Sequence, residues 1–155
     1  MSTDLRTEIK QGRPFHSLEQ EAQLNIERTA AILAHAFADA IKPYGITPTQ
    51  YNVLRILRGA GEEGLCRNDV RDRLISQVPD VTRLLDRLEE TGLVMRERDT
   101  TDRRLVTTRI TTAGLRLLEQ LDEPTVETHR KFLGHMTRAQ LRTLIELLSL
   151  ARERI

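Results

Sequence analysis

This chain has a single cysteine, Cys66, which rules out an intramolecular disulfide and the cysteine-rich zinc sites. No apolar run is long enough to span a bilayer, and the first fifteen residues carry no hydrophobic signal segment. The chain is therefore expected in the cytoplasm, without membrane contact. The four histidines, His16, His35, His129 and His135, are scattered, and no pair stands at a metal-ligand spacing backed by carboxylates. No metal and no cofactor are expected. A glycine-rich phosphate loop and a nucleophile–base pairing are also missing, which argues against an enzyme. Charge of one sign is lacking too: 24 Lys and Arg against 23 Asp and Glu leave a net charge of +1. A nucleic-acid function must then rest on local charge. There is no internal repeat and no low-complexity tract. At 155 residues the chain has one domain's worth of sequence, 1–155, enough to bury a core.

What the chain does have is helix punctuation. Residues 1–16 are polar, contain Gly12 and Pro14, and read as a loose arm. Ser17 with Gln20 forms a capping box opening a helix, and Ile26, Ala30, Leu33, Phe37 and Ile41 repeat at helical steps until Pro43 and Gly45. Thr47, Pro48 and Gln50 open a second helix, with Ile46 and Tyr51 placed as a hydrophobic staple, and Gly59 and Gly61 end it. A third helix is expected from Cys66 to Leu74, with Val70 facing inward, and Ile75 to Val78 as a turn. Pro79 is expected to begin a fourth. Two short helices about a tight turn make a helix-turn-helix, whose second member enters the major groove.

That fourth helix carries Val81, Leu84, Leu85 and Leu88 on one stripe, with Thr82, Arg83, Asp86 and Arg87 on the other faces. Gly92 stands where the helix must stop in left-handed geometry. Leu93–Arg98 and Leu105–Ile110 read as strands around the turn Asp99-Thr100-Thr101-Asp102. Across them Arg96, Arg98, Arg103, Arg104 and Arg109 outnumber Glu97, Asp99 and Asp102. A polar helix face followed by an arginine-tipped hairpin is a winged helix. Thr111 then caps a long helix through Leu115, Leu118 and Leu121, which Pro124 interrupts, either kinking it or starting a new segment. Gly134 marks a break, and Thr137 with Gln140 opens a last helix lined by Leu141, Leu144, Ile145, Leu148 and Ala151.

The run LLDRLEETGLV, the wing pattern Asp102-Arg103-Arg104 and the following Ile110-Thr111-Thr112-Ala113-Gly114 resemble the multiple-antibiotic-resistance regulator (MarR) family. The similarity extends, more loosely, from about Leu18 to the C-terminus. It implies a mainly α fold with a small β-wing: a winged helix-turn-helix lobe at 47–110, and long dimerisation helices at 17–43 and 111–155. Independently, the terminal helices carry full apolar stripes outside the minimal winged unit. A second copy is the economical cover for them, and it sets two reading helices about one DNA turn apart, which suits a pseudo-palindromic operator.

The expected DNA contacts are Asn68, Ser76, Gln77, Pro79, Asp80, Thr82, Arg83 and Arg87, with Arg96, Arg98, Asp102, Arg103 and Arg104 from the wing. Arg83 suits a bidentate guanine contact, Asp80 a cytosine amino group, and Thr82 a phosphate or a thymine methyl. Arg83 equally suits a surface pair with Asp86, and Arg87 a phosphate or a salt bridge. In the wing, one arginine enters the minor groove while Asp102 holds it, or the hairpin tip is merely solvated. Cys66 stands where Ser or Thr commonly caps a helix, and is a small half-buried substitute or a redox sensor. His16, His35 and Tyr51 are candidates for a crevice taking a small aromatic effector, as in relatives, or are core, interface and staple residues. The resulting expectation is a homodimeric transcription factor that represses from a promoter until a small molecule releases it. The alternatives are a cysteine-based redox regulator and a winged protein–protein module that binds no DNA.

Overall fold

The computed structural model describes residues 4–153, in two compact units, one up to Phe37 and one from Ala38 onward. In the first, the expected loose arm carries a one-turn helix, α1 (Leu5–Glu8), capped by Asp4, whose carboxylate accepts from the Thr7 N–H at 2.8 Å. A single turn is too short to leave a periodic signal. Helix α2 (Leu18–Ile41) opens where expected, and the Ser17 hydroxyl accepts from the Gln20 N–H at 3.1 Å. The return bond of the box differs: Gln20 Oε1 accepts from His16 N–H at 2.7 Å, one residue earlier than the motif predicts. Ile41 is the one buried residue of α2, while Leu18, Ile26 and Ile32 are exposed.

The second unit holds the core. Helix α3 (Pro48–Ala60) has both bonds of the Thr47–Gln50 box and buries Tyr51, Val53, Leu54 and Leu57. Strand β1 (Leu65–Cys66) precedes α4 (Arg67–Arg73) and α5 (Val81–Glu90). Strands β2 (Val94–Arg98) and β3 (Val106–Ile110) form the hairpin, and the antiparallel sheet runs β1-β3-β2, with Leu65 opposite Thr108 and Arg96 opposite Thr108 on its other side. Helices α6 (Thr112–Leu133) and α7 (Arg138–Ala151) complete the chain. Cys66 stands at the N-cap of α4, the helix start where the sequence places it, but β1 has no sequence signal, because two residues carry no alternation and their partners Thr108 and Thr107 are distant in sequence.

Several boundaries have local causes. Helix α5 begins at Val81, not at Pro79, because Asp80 takes the cap, its Oδ1 accepting from Arg83 N–H at 2.9 Å; starting at the proline would leave valine as a cap with no acceptor. Gly92 ends the helix at φ +74 as its position demands. Gly114 is fixed by approach instead: a Cβ there would stand 2.6 Å from Ile110 Cγ1 and clash with the Leu93 carbonyl, so α6 can start close to the hairpin only with glycine. Helix α6 runs on through Pro124 and no new segment starts there; the lost N–H bond is offset by the burial of Leu121 and Thr125 on either side. Two cross-links join α3 to α6: Arg58 donates twice to Asp122, at 3.0 Å each, and Tyr51 Oη donates to Thr125 Oγ1 at 3.4 Å.

Candidate nucleic-acid interface

Helix α5 is divided cleanly. Val81, Leu85 and Leu88 are buried, while Thr82, Arg83 and Arg87 are exposed. Its N-terminal turn is stiffened by the Asp80 cap, and the preceding turn is tied to α3 by the Ile75 N–H, which donates to Asn52 Oδ1 at 2.9 Å. Ser76, Gln77 and Pro79 are exposed in that turn, and Asn68 is exposed on α4. Arg67 joins the two helices by donating to Thr82 Oγ1 at 3.2 Å. Arg67 was not among the expected contacts. Its position at the first residue of α4 was legible; its reach across to α5 was not.

The arginines separate into two groups. Arg96 is spent internally: it donates to Asp86 at 2.5 Å and to Glu89 at 2.9 Å, and its own N–H bonds Glu89 at 2.9 Å. Hydrogen bonding from Arg96 holds the Glu89 carboxyl below its usual range, and Glu89 in turn raises Arg96. This clamp locks β2 to α5. Arg109 is likewise used, reaching the Glu62 carbonyl at 2.5 Å and Glu97 at 2.6 Å. By contrast, among the described residues no hydrogen bond or ion pair engages the guanidinium of Arg83, Arg87, Arg98, Arg103 or Arg104. Free guanidiniums at the start of a helix-turn-helix reading helix and on a hairpin can meet phosphate or base edges without first breaking an internal bond.

The wing tip is a built turn. Asp99 Oδ1 accepts from the N–H groups of Thr101 at 2.7 Å and Asp102 at 3.0 Å. These bonds, that from Asp102 first, lower the Asp99 carboxyl from its ordinary value. Asp102 accepts from the backbone N–H of Arg104 at 3.0 Å, so it orients the arginine's main chain and not its guanidinium. Between α4, α5 and the wing lies a recess of about 330 Å³ whose lining includes Cys66, Arg67, Asn68, Thr82, Arg96 and Arg104. Five residues singled out from sequence, Cys66, Asn68, Thr82, Arg96 and Arg104, thus line one recess, and the fold adds Arg67 to them.

Cys66 is half-buried at the N-cap of α4 without a capping bond; its Sγ donates to Asp69 Oδ2 at 3.1 Å. Tyr51 is buried with its hydroxyl on Thr125, whereas His16 and His35 are exposed in the first unit. Among the described residues, no group of three or more His, Cys, Asp or Glu is placed to hold a metal, and no helix is long and apolar enough to cross a membrane.

Comparison with known proteins agrees with this geometry. The sequence profile of the MarR family matches residues 44–105, which takes in the helix-turn-helix and β2. The uncharacterized HTH-type transcriptional regulator YkoM of Bacillus subtilis is 30% identical over 69% of the chain and 71% of that regulator. A crystal structure of a MarR transcription factor from Planctomyces limnophilus is 40% identical, covering 88% of this chain and 99% of that one, with a TM-score of 0.69. A mutant MarR from E. coli complexed with operator DNA shares the fold at a TM-score of 0.77 and 24% identity, over 97% of this chain and 99% of that one.

Proposed function

The chain belongs to the MarR family of transcriptional regulators, and on that premise we propose that it is a homodimeric, sequence-specific DNA-binding repressor released by a small-molecule effector. The observation that carries the reading is the face on which α5 presents Thr82, Arg83 and Arg87 beside a wing ending in Arg103 and Arg104, all five exposed and the arginines unengaged. Arg83 lies near the capped start of α5, the end a helix-turn-helix offers to base edges. Asp80 uses Oδ1 as the cap that fixes the start of that helix. Arg96 holds the wing against α5.

The dimer is supported by α7, which fully buries none of its residues: along its stripe Leu141, Leu144 and Leu148 are only half-buried and Ile145 is exposed. A second copy covers such a stripe and doubles the reading head, to suit a pseudo-palindromic operator. Light scattering at micromolar concentration is expected to return twice the chain mass of 17.8 kDa. Titration of duplex DNA at two salt concentrations tests the binding: phosphate contacts make affinity fall steeply with salt, whereas a protein–protein module without DNA gives no duplex binding at either. Release requires that the effector bind one spacing of the two heads more tightly than the other. A small aromatic acid that weakens operator binding while raising the melting temperature is the expected signature.

A further inference from the structure

Ile75 is 88% exposed, more than any other large hydrophobic residue among those described. Its apolar neighbours in the helix-turn-helix behave oppositely: Val70 and Leu85 are at most 1% exposed. The exposure is not fraying, since the Ile75 N–H is bound by Asn52 of α3. Nor does the turn need this side chain as a plug, because Leu74 and Val78 are the half-buried residues there. A lone exposed isoleucine ordinarily calls for no explanation. This one is pinned by a long-range bond in the segment leading into the capped end of α5, and branching at Cβ keeps its side chain in few rotamers.

We propose that Ile75 is a specificity residue, whose side chain packs on the 5-methyl group of a thymine in the major groove of the operator. The inference rests on the DNA-binding reading above. The thymine methyl is the apolar feature of a base edge in that groove, and a side chain with no donor or acceptor can distinguish little else. Burying one methyl group corresponds to about a fourfold change in affinity.

The test begins by selecting duplexes from a random library with the wild-type protein. Wild type and Ile75→Ser are then titrated with the best duplex and with copies in which each thymine in turn is replaced by deoxyuridine, which lacks the methyl. One thymine per half-site is expected to show a loss of about fourfold for wild type, with Ile75→Ser weakened by as much on the parent duplex and indifferent at that position. The inference is overturned by a wild type insensitive to every replacement, by a sensitivity that survives in Ile75→Ser, or by a variant loss equal on selected and random DNA. A changed assembly mass for Ile75→Ser also overturns it, by placing the side chain in a subunit contact. A library from which wild type enriches nothing removes the DNA-binding premise itself, an outcome distinct from the others.

Discussion

Helices α5 and α7 are both amphipathic and lie in the same compact unit, yet they end differently. Helix α5 buries Val81, Leu85 and Leu88, while α7, longer and richer in leucine, fully buries none, holds Leu141, Leu144 and Leu148 half-buried and leaves Ile145, Leu147 and Leu150 between 58% and 64% exposed. In α5 the polar face is the one left over, and it carries free arginines. In α7 much of the apolar face is left over. The first is a surface ready for a polyanion, and the second a surface ready for another apolar helix. The lesson is that an amphipathic stripe states that burial is wanted; it does not say whether the cover lies in the same chain.

The comparison breaks most sharply if α7 is made polar. Replacing Ile145 and Leu148 together by Glu is expected to yield a monomer by light scattering. Operator affinity should fall at least about a hundredfold, roughly 2.7 kcal/mol, because the two half-sites are no longer bound as one unit. Retained helical circular dichroism would show that the core of the unit survives. A variant that stays dimeric would mean that α7 is not the cover.

The polar face of α5 is next. Arg83→Ala is expected to cost roughly 1–3 kcal/mol on the operator and to relax preference at one base pair in each half-site. Equal losses on operator and random DNA, with a shallower salt slope, would assign Arg83 to phosphate. For the wing, changing Arg103 and Arg104 together to Ala is expected to weaken operator binding at least tenfold, roughly 1.4 kcal/mol, with little change in melting temperature, since neither guanidinium holds the fold. Unchanged affinity would mean the wing stands clear of DNA.

What sequence revealed of these surfaces follows the range of the interactions that make them. Thr47 with Gln50, Thr137 with Gln140, and Gly92 act on neighbours a few residues away, and each appears where its pattern puts it. The proline at 79 misled for the same reason in reverse: Asp80 was a better cap one residue on, and two local signals competed. Pairing of β1 with β3, the Gly114 contact with Ile110, and the Arg96 clamp depend on groups brought together by the fold. Sequence therefore showed an arginine-rich hairpin but not which arginines were already spent. Distinguishing Arg96 from Arg104 needed the positions of Asp86 and Glu89.

That clamp also gives a pH signature. The Glu89 carboxyl is held below its usual 4.5, chiefly by the hydrogen bond from Arg96. A carboxyl depressed in the folded state contributes stability that is fully present above its unfolded value and is lost as pH falls through its folded one. As pH falls through and below the ordinary carboxylate range, melting temperature is therefore expected to drop by more in wild type than in Glu89→Gln. Parallel curves for the two proteins would show that the clamp adds nothing to the stability of the reading head.

The smallest expected effect is at Cys66, beside the same recess. Its thiol is half-buried and donates to Asp69 at 3.1 Å, while leaving α4 without a side-chain cap. Serine has a hydroxyl that donates to the same carboxylate, and it is among the residues that cap a helix N-terminus well. Cys66→Ser is accordingly expected to bind operator with wild-type affinity and to melt no lower. It is also expected to respond to oxidant as wild type does, because a thiol bonded within α4's first turn serves here as a small packing residue. Titrating both proteins before and after peroxide checks all three points. Release of oxidised wild type from DNA, with the serine variant still bound, would transfer regulation from a small-molecule effector to this cysteine and make the recess beside α5 a redox site.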